Sequence, residues 1–228
     1  MGRGVIAERC LKTLLGTTNK YQVAAICSNK DPEQFWWKSN EIYRTAKRLR
    51  IPFIDSWEKN NEKLLETMVD NNIGMIVSVQ HSWIIPEYLL DLAPNRAYNL
   101  HNAKLPNYKG FYTISHEILN REKEHCCTIH RMAPVVDTGH VLMEGRQPIY
   151  PYEDARTVFW KSVDTATSLF SNFISRLSSG LRIHEKAIQH GKGCFYSKKD
   201  FESLTIDLIT NENISPALNK RLKRALSF

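Results

Sequence analysis

The segment 98–110, YNLHNAKLPNYKG, contains polar residue types at a spacing that suits proton transfer. Asn99 and His101 lie two positions apart, so on a strand their side chains point to the same face. Asp137 follows 36 residues after His101 in the sequence VVDTGH, where Gly139 indicates a tight loop. If the fold brings Asp137 beside His101, the three side chains form a set that lacks a Ser or Cys nucleophile.

Such a set suits acyl transfer to an amine, because the amine is then itself the nucleophile. His101 would accept the amine proton as a general base. Asn99 would donate its amide N–H to the developing oxyanion. Asp137 would orient the imidazole and stabilise its charge, or help to relay protons.

Each of these residues taken alone also has a structural interpretation. His101 could be a hydrogen-bonded structural residue, Asn99 a turn former, and Asp137 the cap of the DTG turn. The three in combination favour chemistry. No HExxH or other metal-ligand spacing occurs, so we predict no metal site and assign no catalytic role to the remaining histidines, His81, His116, His125, His130, His140, His184 and His190.

Helical and strand patterns alternate through the first hundred residues. Apolar periodicity and end signals predict helices over 5–15, 39–52, 58–72 and 86–94, and strands over 21–27, 73–79 and 96–102. This alternation implies an α/β fold with a doubly wound, mostly parallel sheet. Ligands bind at the carboxyl ends of such strands, and Asn99 and His101 lie near the end of theirs.

The pattern changes after residue 110. We predict a helix, two strands and a long helix that ends before Gly180, over 113–120, 125–134, 139–149 and 152–178. The chain therefore divides into a catalytic domain, 1–180, and a small C-terminal extension, 181–228. The long helix and the extension could form a homodimer interface, although packing of the helix on its own sheet is the plainer role.

The N-terminal sequence GRGVIA, residues 2–7, matches the G-x-G-x-x-G/A pattern of dinucleotide-binding folds. No strand precedes it, and no clear acidic residue follows about 20 positions later, so a nicotinamide-dependent dehydrogenase is a weak alternative. A glycine turn that accommodates a phosphate at a helix N-terminus stays open. Either the chain is shorter than the full gene product, or the sheet lacks its first strand.

Composition limits the class of protein and of partner. The formal net charge is +7, which favours phosphate-bearing partners such as nucleotides or nucleotide sugars. The basic segment 219–228 could bind RNA, but it carries no RNA-binding motif. Five scattered cysteines without CxxC spacing suggest reduced thiols, and no apolar signal segment or membrane span is evident. We therefore expect a soluble cytoplasmic protein.

Two segments resemble signatures of the folate-dependent formyltransferases. NLHNAKLPNYKG is similar to the pattern N-L-H-P-S-L-L-P-x-Y-[RK]-G, and VVDTGHVL is similar to V-x-x-x-D-x-G-x-I. The order of elements over residues 1–180 resembles that family as well. The resemblance implies a Rossmann-like formyltransferase fold in which Asn99, His101 and Asp137 are the catalytic residues.

The variant HNAKLP, where many members have HPSLLP, and the following SHEIL resemble the sugar N-formyltransferase branch. That branch implies N10-formyltetrahydrofolate as co-substrate and a nucleotide-linked amino deoxysugar, for example a dTDP-linked one, as acceptor. The resemblance implies that Lys104 and Lys109 meet the diphosphate, although a solvated surface position would explain either lysine.

The segment SWIIP, residues 82–86, resembles the family segment that lies against the pterin. The resemblance implies that the backbone around Trp83, Ile84 and Ile85 and the loop 135–137, from Val135 to Asp137, hold the folate. Trp83 could instead be part of the core.

Other members of the family remain alternatives. Methionyl-tRNA formyltransferase would explain the positive charge, but its usual further barrel domain needs more than the residues that follow the long helix. Glycinamide ribonucleotide formyltransferase fits the HNAKLP variant less well. A non-catalytic relative that binds a nucleotide or nucleic acid is also open, because fold does not fix function.

Overall fold

The computed structural model describes residues 1–17, 20–31, 39–81, 83–188, 193–210 and 216–227. The first part of the chain contains the predicted alternation of helices and strands. Its elements are α1 (Gly4–Gly16), β1 (Ile26–Ser28), α2 (Glu41–Leu49), β2 (Phe53–Asp55), α3 (Asn61–Asp70), β3 (Ile76–Val79), α4 (Glu87–Leu90) and β4 (Ala97–His101).

The second part also follows the predicted order up to the long helix. Its elements are β5 (Tyr108–Gly110), α5 (Thr113–Leu119), β6 (Glu124–Arg131), β7 (Val141–Pro148), α6 (Ala155–Ser178), β8 (Cys194–Tyr196), α7 (Lys198–Thr210) and α8 (Pro216–Ala225). α6 begins where the Asp154 carboxylate accepts a hydrogen bond from the Thr157 amide at 2.8 Å. It ends before Gly180, whose φ of 68° is a conformation that glycine adopts without strain.

The strands combine parallel and antiparallel pairing. β1 pairs with β2 and β3 pairs with β4 in parallel, whereas β4–β6 and β6–β7 are antiparallel. Met1 and Gly2 lie between β1 and β3: the Gly2 amide donates to Cys27 at 3.0 Å, and the Val79 amide donates to Met1 at 2.9 Å. The predicted α/β fold with a parallel-rich sheet is confirmed, and the short connection between β6 and β7 explains their antiparallel pairing.

The predicted strand over 21–27 is only partly correct, because pairing begins at Ile26. Residues 21–25 belong to no strand, and they border a cavity of about 370 Å³ that the segment 71–77 also lines. None of the three predicted catalytic residues lines this cavity. The GRGVIA motif also has a structural explanation, because a Cβ on Gly2 would lie 2.4 Å from the Val79 carbonyl oxygen.

Two apolar clusters support the sheet. The larger cluster joins α1 and α6 to β4, β6 and β7, and Phe173 of α6 packs edge-on against Tyr98 with ring centroids 5.0 Å apart. The smaller cluster joins β1–β3 to α3 and α4 and includes Ile54, Leu64 and Leu89. Both clusters hold β4 in place, so the residues at its end have a fixed position. Within the described ranges, no helix is both long and apolar enough to cross a membrane.

Candidate active site

Strand pairing positions Asn99 at the centre of the site. Asn99 lies opposite His130 in the β4–β6 ladder, and its Nδ2 is 3.1 Å from the His130 Nε2. The His130 Nδ1 lies 2.7 Å from the Arg131 carbonyl, which can only accept, so Nδ1 carries the hydrogen. In the neutral imidazole, Nε2 is then the acceptor for Asn99. One N–H of the Asn99 amide is committed to His130, and the second is left for another acceptor.

His101 ends β4 and is held by the turn that follows it. Its Nε2 lies 2.7 Å from the Tyr108 carbonyl oxygen, which fixes the hydrogen on Nε2. Nδ1 is then the basic nitrogen, and it lies 3.6 Å from the Asp137 Oδ2. A proton taken up by Nδ1 would therefore be stabilised by the carboxylate beside it.

Asp137 contacts both histidines from the loop between β6 and β7. Besides the His101 contact, its Oδ2 accepts a hydrogen bond from the Gly110 amide at 3.0 Å, and its Oδ1 lies 3.5 Å from the His130 Nε2. Burial alone would raise the pKa of Asp137. The positive charge that His101 carries when protonated, the interaction with a protonated His130 and the hydrogen bond from the Gly110 amide outweigh burial and hold the pKa of Asp137 well below its ordinary value. The buried carboxyl group is therefore ionised.

Backbone geometry explains how the loop reaches the site. Asp137 has a φ of 55°, a left-handed conformation that Asp tolerates better than most residues. A Cβ on Gly139 would lie 1.9 Å from the Arg131 carbonyl oxygen, so only glycine allows the loop to approach the end of β6. The structure thus brings together the three residues that the sequence singles out, Asn99, His101 and Asp137.

His130 also belongs to this site, although no sequence pattern assigns it a role there. It contacts Asn99 and Asp137 and is 2 % exposed. The spacing of His130 from other residues matches no metal-binding pattern. Residues on both faces of β6 are buried, so burial does not distinguish His130 from its neighbours on the strand. The only usable signal is its register, which places it directly opposite Asn99.

The predicted folate-binding segment leaves the sheet at the same edge, because it follows the end of β3, which is paired with β4. Ile84 and Val135 are exposed, at 67 % and 65 %, whereas Ile85 is buried in the smaller cluster. Trp83 is half-buried and packs on His81 with ring centroids 4.4 Å apart. Neither the Trp83 Nε1 nor the His81 Nε2 has a hydrogen-bond partner among the described residues, although both atoms are buried.

The C-terminal extension contacts the motif turn directly. β8 pairs with β5 so that Phe195 lies opposite Lys109. Tyr196 stacks on His116, with ring centroids 4.0 Å apart, and more loosely on Tyr108. The sequence suggests only a possible homodimer interface for this extension and does not predict this contact, since β8 is short and its partner strand lies far away in the sequence.

Two other predictions concern charged side chains. Lys104 and Lys109 lie in the turn and strand after His101, and both are half-buried. Much of the basic segment at the C-terminus is helical: Leu222 and Ala225 of α8 are buried, and the Arg224 Nε donates to the Glu153 carbonyl at 2.6 Å. Over the described ranges, no group of three His, Cys, Asp or Glu residues is placed to hold a metal ion.

Comparisons with known proteins identify the family of the chain. The formyl transferase family model matches residues 1–174. GDP-perosamine N-formyltransferase from Brucella melitensis is 26 % identical over 198 residues, covering 87 % of this chain and 73 % of that protein. Methionyl-tRNA formyltransferase from Caldanaerobacter subterraneus is 30 % identical, covering 68 % of this chain and 46 % of that protein.

A solved structure has the same fold over the whole chain. It is WlaRD, a sugar 3N-formyl transferase crystallised in the presence of dTDP and 5-N-formyl-THF, with a TM-score of 0.76 and 22 % identity. The superposition covers 100 % of this chain and 77 % of that one, so it includes the C-terminal extension. The chain belongs to the formyl transferase family.

The ionised state of Asp137 leads to a prediction for stability. Because its pKa is lowered in the folded state, the resulting stabilisation is complete above the ordinary aspartate pKa and is lost as the pH falls below it. We expect Asp137→Asn to be less stable than wild type at pH 6. Below about pH 4 the difference in free energy of unfolding between wild type and Asp137→Asn should narrow, by up to about 1.4 kcal/mol per pH unit. Urea denaturation between pH 6 and pH 2 measures this difference. A difference that stays constant over this pH range would contradict the lowered pKa of Asp137.

Proposed function

We propose that the protein transfers the formyl group of N10-formyltetrahydrofolate to the amine of a nucleotide-linked amino deoxysugar, for example a dTDP-linked one. Family membership supports the reaction class, and the convergence of Asn99, His101 and Asp137 on one edge of the sheet supports the chemistry. Two observations support a nucleotide-linked sugar as the acceptor: the similarity to GDP-perosamine N-formyltransferase, and the HNAKLP variant of the family signature.

In this proposal the neutral amine of the sugar attacks the formyl carbon and forms a new C–N bond. The carbonyl oxygen becomes an oxyanion, to which the uncommitted N–H of Asn99 donates. His101 takes the proton from the attacking nitrogen through Nδ1, and Asp137 stabilises the imidazolium. The bond to N10 of the folate then breaks, N10 receives the proton, and the imidazole is neutral again.

Surfaces beside the catalytic residues suit the folate. Ile84, in the segment after β3, and Val135, in the loop that carries Asp137, offer exposed apolar side chains, as a flat pterin ring requires. The Trp83 Nε1 and the His81 Nε2 are buried without a partner in the described structure, and a polar ligand could satisfy them. Ile85 contributes by anchoring this segment in the core, since its own side chain is buried.

The acceptor would approach from the turn after His101. Lys104 and Lys109 in that turn and strand would meet its diphosphate, and the net charge of +7 would attract such an anion. Methionyl-tRNA formyltransferase is the second candidate, because a relative with that name is 30 % identical over 68 % of this chain. The two candidates share the chemistry at His101 and differ only in the acceptor.

The role of His101 can be tested by substitution. We expect His101→Ala to lower kcat about 10²–10⁴-fold, the range for loss of a general base, with little change in the Kd for folate. The matched control is His184→Ala, which removes an exposed imidazole outside the site and should leave kcat unchanged. Turnover of His101→Ala within threefold of wild type would contradict the role of the imidazole.

The acceptor can be identified with a panel of amines and a single formyl donor. The purified protein is incubated with N10-formyltetrahydrofolate and with dTDP-, GDP- or UDP-linked amino deoxysugars, glycinamide ribonucleotide or initiator Met-tRNA. Mass spectrometry should detect a formylated nucleotide sugar and no formylated Met-tRNA, because a diphosphate-linked amine fits the two lysines. Formylated Met-tRNA as the main product would instead assign the protein to the second candidate.

A further inference from the structure

We propose that Asn102 is a positioning residue that fixes the orientation of His101, and that the buried pair Glu117–His125 holds Asn102 in place. This inference rests on the proposed function, because the imidazole it positions is the proposed base. Asn102 occupies the position at which the family signature has proline, a residue without a hydrogen-bonding side chain. In this chain the position therefore carries interactions that the signature does not provide.

The hydrogen bonds fix which way the Asn102 amide faces. Its Nδ2 lies 3.0 Å from the Ser162 Oγ, and that hydroxyl lies 2.7 Å from the Phe159 carbonyl oxygen. The carbonyl can only accept, so it receives the Ser162 hydrogen. Ser162 must then accept from Asn102, and the Asn102 amide nitrogen therefore points towards α6.

The Asn102 Oδ1 consequently faces the strand β6, where it needs donors. The Cys127 Sγ lies 3.1 Å away, and the His125 Nε2 lies 3.3 Å away. Burial raises the pKa of the Cys127 thiol well above its ordinary value, so its S–H is present as a donor. His125 must likewise carry its hydrogen on Nε2.

This requirement determines how many protons the Glu117–His125 pair holds. The His125 Nδ1 lies 2.6 Å from the Glu117 Oε2, and the two side chains are 0 % and 1 % exposed. With Nε2 protonated, the second proton lies between Nδ1 and Oε2, so the pair is neutral overall. Burial raises the pKa of Glu117, which favours retention of this proton.

The backbone after His101 is held by the same elements. Thr113 donates to the Asn102 carbonyl at 3.0 Å, and Thr128 donates to the Ala103 carbonyl at 2.7 Å. The other end of this turn is the Tyr108 carbonyl, which accepts from His101 and so sets the imidazole plane. Release of Asn102 would move this carbonyl relative to His101 and leave Nδ1 misaligned with the attacking amine.

The test compares three variants in the full-length protein with saturating substrates. We expect Asn102→Ala and Ser162→Ala to lower kcat about 10–100-fold with KM within threefold, since a shift of about 1 Å in a catalytic group can cost that much. Ser168→Ala, which removes an exposed hydroxyl from the same helix, should leave kcat unchanged. A folded Asn102→Ala variant with kcat within twofold of wild type would overturn the proposal.

Substitution of Glu117 distinguishes positioning from simple packing. The amide of Glu117→Gln can donate to the His125 Nδ1 and keep the hydrogen on Nε2, so kcat should stay within about threefold of wild type. Glu117→Leu leaves the buried His125 Nδ1 without a hydrogen-bond partner, so nothing holds the imidazole against Asn102, and the variant should lose as much kcat as Asn102→Ala. Equal losses in the two Glu117 variants would overturn the role of the pair. If the leucine variant does not fold, a loss of kcat in Glu117→Gln as large as that in Asn102→Ala would also overturn the role of the Glu117–His125 pair.

A spectroscopic measurement separates this inference from the proposed function. Nitrogen-15 spectra of labelled histidine report the position of the ring hydrogen without any turnover. Wild type should show His101 with its hydrogen on Nε2, and Asn102→Ala should show a mixture of tautomers. If wild type formylates no acceptor, the proposed function fails, whereas an unchanged His101 spectrum in Asn102→Ala rejects only the positioning role.

Discussion

The candidate site depends on one buried negative charge. The Asp137 carboxylate is 8 % exposed, and a carboxylate at that depth is stable only with charged or hydrogen-bonded partners. The Gly110 amide donates to it, and the imidazoles of His101 and His130 lie beside it and stabilise the charge when they are protonated; the three groups come from three different strands. A displacement of any one of these strands would remove one of the groups that stabilise the charge. The stabilisation of this charge therefore depends on the correct packing of all three strands.

The rest of the structure supports these three contacts from outside. The apolar clusters fix β4, and the close approach of Gly139 to Arg131 fixes the loop that carries Asp137. β8 pairs with β5 and so supports the strand that supplies the Gly110 amide. The C-terminal extension thus contributes to the site by contact.

The sequence predicts the local elements well because their signals are local. Apolar spacing and end signals locate α2, α3, α5 and α6, and the spacing of Asn99 and His101 places both on one face of a strand. Asp137 is a candidate from the sequence alone, but its placement beside His101 is implied only by the family resemblance, since that contact depends on strand register. His130 and β8 were missed for the same reason: pairing with distant strands defines both, and neither has a distinctive local pattern. The Glu117–His125 pair likewise joins a helix to a strand.

The charge of the Asp137 carboxyl group can be measured directly. Carbon-13 NMR of the labelled carboxyl group, followed during an acid titration of the folded protein, measures its protonation. We expect Asp137 to remain ionised at about pH 3.9, where an ordinary aspartate is half-protonated, because the two imidazoles and the Gly110 amide stabilise the charge. Half-protonation at or above that pH would mean that the carboxylate and the imidazoles do not interact as described.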